Sequence, residues 1–137
     1  METKSAKRMV AALCATVLTA AGLSACGAND SKDDKAEVLT TFTILEDITA
    51  NIAGDTLKVR SLTKPGAEVH GYDPSPSDIA AASDAELIIN NGLGLEHWLN
   101  KLTENSKAKR ATASDGVNPI KIKGTDDPNP HAWMSPT

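Results

Sequence analysis

From Val38 onward, apolar positions fall into short runs whose spacing changes character along the chain. Val38 to Leu45 is β-branched and apolar enough for a buried strand. Leu45, Ile48 and Ile52 then recur at three- and four-residue steps and predict a short helix ending at Gly54. Leu57 to Leu62 alternates apolar with polar residues, a second strand, and Pro65-Gly66 breaks it into a loop. Ser75 can cap the next helix, with Pro76 at its first position and Asp78 at capping-box spacing. Glu86 to Asn90 predicts a third strand, stopped by Gly92 and Gly94. Leu95, Trp98, Leu99 and Leu102 mark one face of a further helix. Arg110 to Ile122 offers one or two more short strands. Strands alternating with helices predict an α/β fold, a parallel sheet flanked by helices whose ligands sit at the carboxyl ends of the strands.

Ahead of this pattern lies a different one. Lys4, Lys7 and Arg8 precede an uncharged apolar run from Met9 to about Ala25, the layout of a secretory signal peptide. A transmembrane anchor competes, since spanning takes at least ~17 residues. The Ala, Thr and Gly content of the run favours a signal, as does its end at Leu23-Ser24-Ala25-Cys26, which resembles a bacterial lipobox with Cys26 as the lipidated residue. Residues 1–25 are then a lipoprotein signal peptide and 26–37, polar and aperiodic, a flexible tether. Residues 38–137 are the folded lobe.

Composition narrows the function. A formal net charge of −4 argues against a nucleic-acid partner. Cys14 and Cys26 are the only cysteines, one inside the expected signal and one at the lipobox, so a mature chain has no thiol for a disulfide or a metal. Three histidines remain. On a helix carrying Leu95, Trp98 and Leu99, at about 100° per residue, His97 falls on the polar face and reads as exposed. His70 and His131 sit in loops stiffened by proline, Pro65 to Pro74 and Pro128 to Pro136, and such loops present side chains with little entropy left to lose. Two neutral imidazoles on separate loops in a rigid, partly apolar setting suit zinc, manganese or iron(II). Their separation in sequence is not itself a motif.

His70-Gly71-Tyr72-Asp73-Pro74-Ser75-Pro76-Ser77-Asp78 resembles the His-x-Tyr-x-Pro-[Ser/Thr]-Pro-x-Asp element of the metal-binding lipoproteins of manganese, zinc and iron ABC importers. Leu87 to Leu99 resembles that family's strand, Asn-Gly turn and Leu-Glu-x-Trp segment. Asn129-Pro130-His131-Ala132-Trp133-Met134-Ser135-Pro136 resembles its second histidine element. The resemblance implies the first half of a two-lobe solute-binding protein, with His70 and His131 as the first two metal ligands and a Glu and an Asp from a second lobe completing the site. Ending at Thr137, the chain is expected to carry one lobe and half a coordination shell. Asp73, Asp126 and Asp127 are expected to serve loop geometry and capping. The absence of histidine between residues 103 and 130, with the Pro-His-Ala-Trp-Met form, points to manganese or iron over zinc.

The expected role is capture of a divalent cation outside the cytoplasm and delivery to an ABC-type permease. No enzymatic activity is expected. The partners would be the permease and, through a lipid on Cys26, the bacterial membrane, with the protein itself a monomer. Histidine ligation should fail as pH drops below about 6. Two rivals belong to other classes: a surface adhesin or structural lipoprotein with incidental histidines, and a zinc-dependent hydrolase. The hydrolase lacks a His-Glu-x-x-His helix. A lobe for an organic solute is disfavoured by the 3% aromatic content.

Overall fold

The computed structural model describes residues 35–135, so the expected signal peptide, Cys26 and most of the expected tether lie outside the described residues. Four strands, β1 (Glu37–Thr40), β2 (Lys58–Ser61), β3 (Leu87–Asn90) and β4 (Lys109–Thr112), form one sheet in the order β2-β1-β3-β4. Every pairing is parallel, with Leu39 standing between Arg60 and Ile88 in register. The helices are α1 (Thr43–Ala53), α2 (Pro76–Asp84) and α3 (Leu99–Thr103). This is the helix-flanked parallel sheet that the alternating pattern predicts.

β1 is the central strand, and Val38, Leu39 and Thr40 are all buried, as a strand covered on both faces requires. Leu39 and Ile88 anchor the larger core, where Ala81 and Ala82 of α2 and Leu99 and Leu102 of α3 pack on them. Alanine at the contact lets α2 lie close to the sheet. A second, smaller cluster of Phe42, Leu45 and Leu95, with Trp133 against it, sits at the carboxyl end of β1.

Three local expectations shift. The run Val38 to Leu45 is not one strand: β1 stops at Thr40 and α1 begins at Thr43, with Phe42 extended at its N-cap (φ −151°, ψ 165°) and buried. A short β-branched run is compatible with either element, and here the helix takes its second half. Of the stripe on α1 only Leu45 is buried, whereas Ile48 and Ile52 are 44% and 82% exposed. The helix predicted from Leu95 starts only at Leu99, because Gly92, Leu93 and Gly94 all have positive φ and turn the chain first. Leu95 and Trp98 are buried nonetheless. α2 matches its sequence signature in full: the Ser75 side chain accepts from the Asp78 N–H, the Asp78 carboxylate accepts from the Ser75 N–H, and Pro76 opens the helix. Among the described residues no helix is long and apolar enough to cross a membrane.

Candidate metal centre

Strand order reverses between β1 and β3, since β1 connects to β2 on one side and β2 returns to β3 on the other. In open α/β sheets the loops beyond the carboxyl ends at such a point form a crevice. Both loop histidines lie there. His70 is in the loop after β2, and His131 ends the long segment after β4. The two edge strands thus deliver one imidazole each.

The His70 loop is held at several points. Pro65-Gly66 forms a turn closed by the Ala67 N–H on the Lys64 carbonyl, with Gly66 at φ +78°. The indole N–H of Trp98 donates to the Val69 carbonyl at 2.7 Å, and the His70 N–H donates to the Glu68 carboxylate at 2.8 Å. Beyond His70, the Tyr72 hydroxyl donates to Asp78 Oδ2 at 2.8 Å, and its ring packs edge-on against Trp98, centroids 5.0 Å apart. Burial and the neighbouring Asp78 push the Tyr72 phenol up. For Asp78 burial acts upward as well, but donors from Ser75 and Tyr72 outweigh it and hold the carboxyl below its ordinary value.

His131 is fixed from both sides. The preceding carbonyl, of Pro130, accepts from Asn91 Nδ2 at 2.8 Å, a buried hydrogen bond. Asn129 Oδ1 lies 3.1 Å from the His131 backbone N–H and 2.7 Å from ring Nδ1. The backbone donor identifies that atom as the amide oxygen, which can only accept. Nδ1 therefore carries the ring proton and Nε2 the free lone pair, the tautomer in which Nε2 can ligate. Trp133 stacks beside His131 at 5.2 Å and reaches down to Phe42 at 4.8 Å, tying the loop to the smaller core.

The His70 and His131 rings come to 5.6 Å between centroids. With metal–nitrogen bonds of about 2.1 Å, two imidazoles sharing one tetrahedral ion would have centroids roughly 5 Å apart. Both rings are exposed, so the partly apolar setting expected from sequence holds beneath the site, in Phe42 and Trp133, but not above it. His97 is exposed as predicted, yet it lines the same cleft of about 510 Å³ as His70 and His131. Helical-wheel reasoning does not apply to it, because the chain at His97 is turn rather than helix. Asp73 pairs with Lys101 at 3.4 Å and Asp126 with Lys121 at 2.6 Å, both on the surface. Among the described residues no group of three or more His, Cys, Asp or Glu side chains is arranged to hold a metal ion.

Asn91, Glu96 and Asn129 lie in the segments that carry the family resemblance, but their residue types do not reveal their roles. Asn-Gly reads as a turn, and a lone Glu beside His97 reads as solvated. The Glu96 carboxylate is instead buried, accepting from Thr41 Oγ1 and the Asn91 N–H at 2.7 Å and from the Gly92 N–H at 3.1 Å.

Residues 38–137 match the family described as zinc-uptake complex component A, periplasmic. The chain is 49% identical over 107 residues to the iron-binding protein YfeA of Yersinia pestis, covering 75% of this chain and 34% of that one. It is 37% identical over 143 residues to the manganese ABC transporter substrate-binding lipoprotein PsaA of Streptococcus pneumoniae, covering 94% and 46%. Among solved structures, the Mn-bound periplasmic metal binding protein of Candidatus Liberibacter asiaticus superposes with a TM-score of 0.69 at 43% identity, over 74% of this chain and 39% of the other. The chain thus spans between about a third and a half of the length of these relatives. Their printed names describe binding components rather than catalysts. A match over the whole folded lobe, with relatives of this identity, shows that the chain belongs to the zinc-uptake component A family of periplasmic metal-binding proteins.

Proposed function

We propose that His70 and His131 contribute two imidazole nitrogens to the site of a divalent cation, manganese or iron before zinc, that is captured outside the cytoplasm and passed to an ABC-type permease. The observation that carries this reading is the pair of imidazoles at the carboxyl ends of the sheet, 5.6 Å apart and one from each edge-strand loop. The role is binding without catalysis. Relatives named for iron and manganese support the order of metals, and a family named for zinc uptake keeps zinc in the comparison. Residues 1–25 would act as the signal peptide, Cys26 as the lipid-bearing residue, 26–37 as the tether and 38–137 as the metal-binding lobe. Relatives named as lipoproteins support that address.

Thermal unfolding during titration with Mn²⁺, Fe²⁺ or Zn²⁺ tests the proposal. A ligand that binds only the native state adds about 2.7 kcal/mol of stability at 100 times its Kd. The melting temperature should rise with the physiological metal, and His70→Ala and His131→Ala should each abolish the rise. A wild-type chain indifferent to all three cations would end the metal reading.

A further inference from the structure

One eight-residue segment, Asn91 to Trp98, reaches both histidine loops at the same place in each. Trp98 Nε1 donates to the carbonyl of the residue before His70, and Asn91 Nδ2 donates to the carbonyl of the residue before His131. The two anchors are not equivalent. Trp98 packs in the main core, whereas Asn91 is a polar residue 2% exposed, held through its backbone N–H, its backbone carbonyl and its side-chain NH₂. Its carbonyl accepts from Ser114 Oγ at 2.6 Å, its N–H goes to Glu96, and its amide also donates to the Gly92 carbonyl at 2.9 Å. Glu96 in turn ties Asn91 to Thr41 at the end of β1. The ends of β1, β3 and β4 therefore converge on the main chain of one residue, and the side-chain amide of that residue holds the peptide that carries His131.

We propose that Asn91 and Glu96 are positioning residues of the metal site: Glu96 fixes Asn91, and Asn91 sets where His131 stands relative to His70. This rests on the metal-binding reading above. A hydrogen bond to the peptide carbonyl next to a ligand constrains the ring's origin rather than its electronics, so the pair acts on the geometry of binding. Neither residue touches the ion.

Co²⁺, whose visible absorption reports coordination, is a suitable probe for the full chain. Asn91→Ala should weaken Co²⁺ binding 10- to 100-fold, the usual range for partners that orient a ligand. Glu96→Gln should weaken it about tenfold, and the double variant should be no weaker than Asn91→Ala alone, since both act through one contact. Ser106→Ala, which removes a hydrogen bond to Ala82 on α2, supplies the contrast: a lower melting temperature at unchanged Co²⁺ affinity. Asn91 and Glu96 variants that behave like Ser106→Ala overturn the proposal. Should Asn91→Ala not fold, the Glu96→Gln affinity decides alone. A metal-free measurement separates this proposal from the one it rests on. The nuclear Overhauser effect between the His70 and His131 rings should be present in the wild type and lost in Glu96→Gln. If the wild type binds no Co²⁺, the metal reading fails; if the Overhauser contact persists in Glu96→Gln, the positioning role fails.

Discussion

At the scale of single residues, the site depends on atoms that sequence patterns do not display. Asn129 opens the second histidine element without any sign of its role, yet its side-chain amide oxygen holds the proton of His131 on Nδ1 and frees Nε2. Asn129→Ala should let the ring choose either tautomer and rotate, lowering metal affinity by about tenfold or more while changing the melting temperature of the metal-free protein little. Calorimetric titration beside a thermal melt checks this, and equal affinity in the two proteins would refute it. Gly92 is constrained differently. It sits at φ +84°, and a Cβ there would overlap the Thr112 methyl and come within 2.9 Å of Ser114 Oγ. Gly92→Ala should cost about 1–3 kcal/mol from backbone strain, with the overlap added. Urea unfolding measures it.

At the scale of elements, legibility followed how local the determining signal is. α2 was readable because its cap, its proline and its box residue lie within four positions of one another. The β3 strand was readable as an apolar run between turn signals. The start of α1 was not, since Thr43-Ile44-Leu45 suits strand and helix alike and only the burial of Phe42 at the turn decides. Nor was the late start of α3, where Leu93 adopts φ +54° between two glycines. The two histidine loops could be singled out from their prolines and motif resemblance; their approach to one another could not, because it depends on strand order. α2 also makes a pH-dependent prediction. Asp78 has its carboxyl held below the ordinary value of 3.8, so it contributes stability that is complete above that value. The contribution is lost as pH falls through the depressed native value, because the unfolded chain takes up the proton first. Asp78→Asn should therefore lower stability at neutral pH and flatten its acid dependence below about pH 4, where wild type and variant converge. Ser75→Ala should cost about 1 kcal/mol through the lost cap. Denaturant midpoints across an acid series read both.

For the whole molecule, the strand order would make the proposed site a clasp across the sheet. β2 and β4 are the two edges, and the histidines arise from the segments that follow them. An ion bound by both rings would link residues 62–75 to residues 113–131 over the buried centre of β1 and β3. That centre is already held by Leu39 and Ile88, each fully buried, and has little to gain. The edge segments, by contrast, carry exposed side chains and long stretches without regular structure, where local opening is cheapest. Metal binding should therefore slow amide hydrogen exchange mainly in those two segments and leave β1 and β3 almost unchanged. His70→Ala should remove the protection from both segments at once, because an ion held only by the second loop closes nothing. Protection confined to residues 113–131, or spread evenly through the sheet, would show that the two imidazoles do not share one ion.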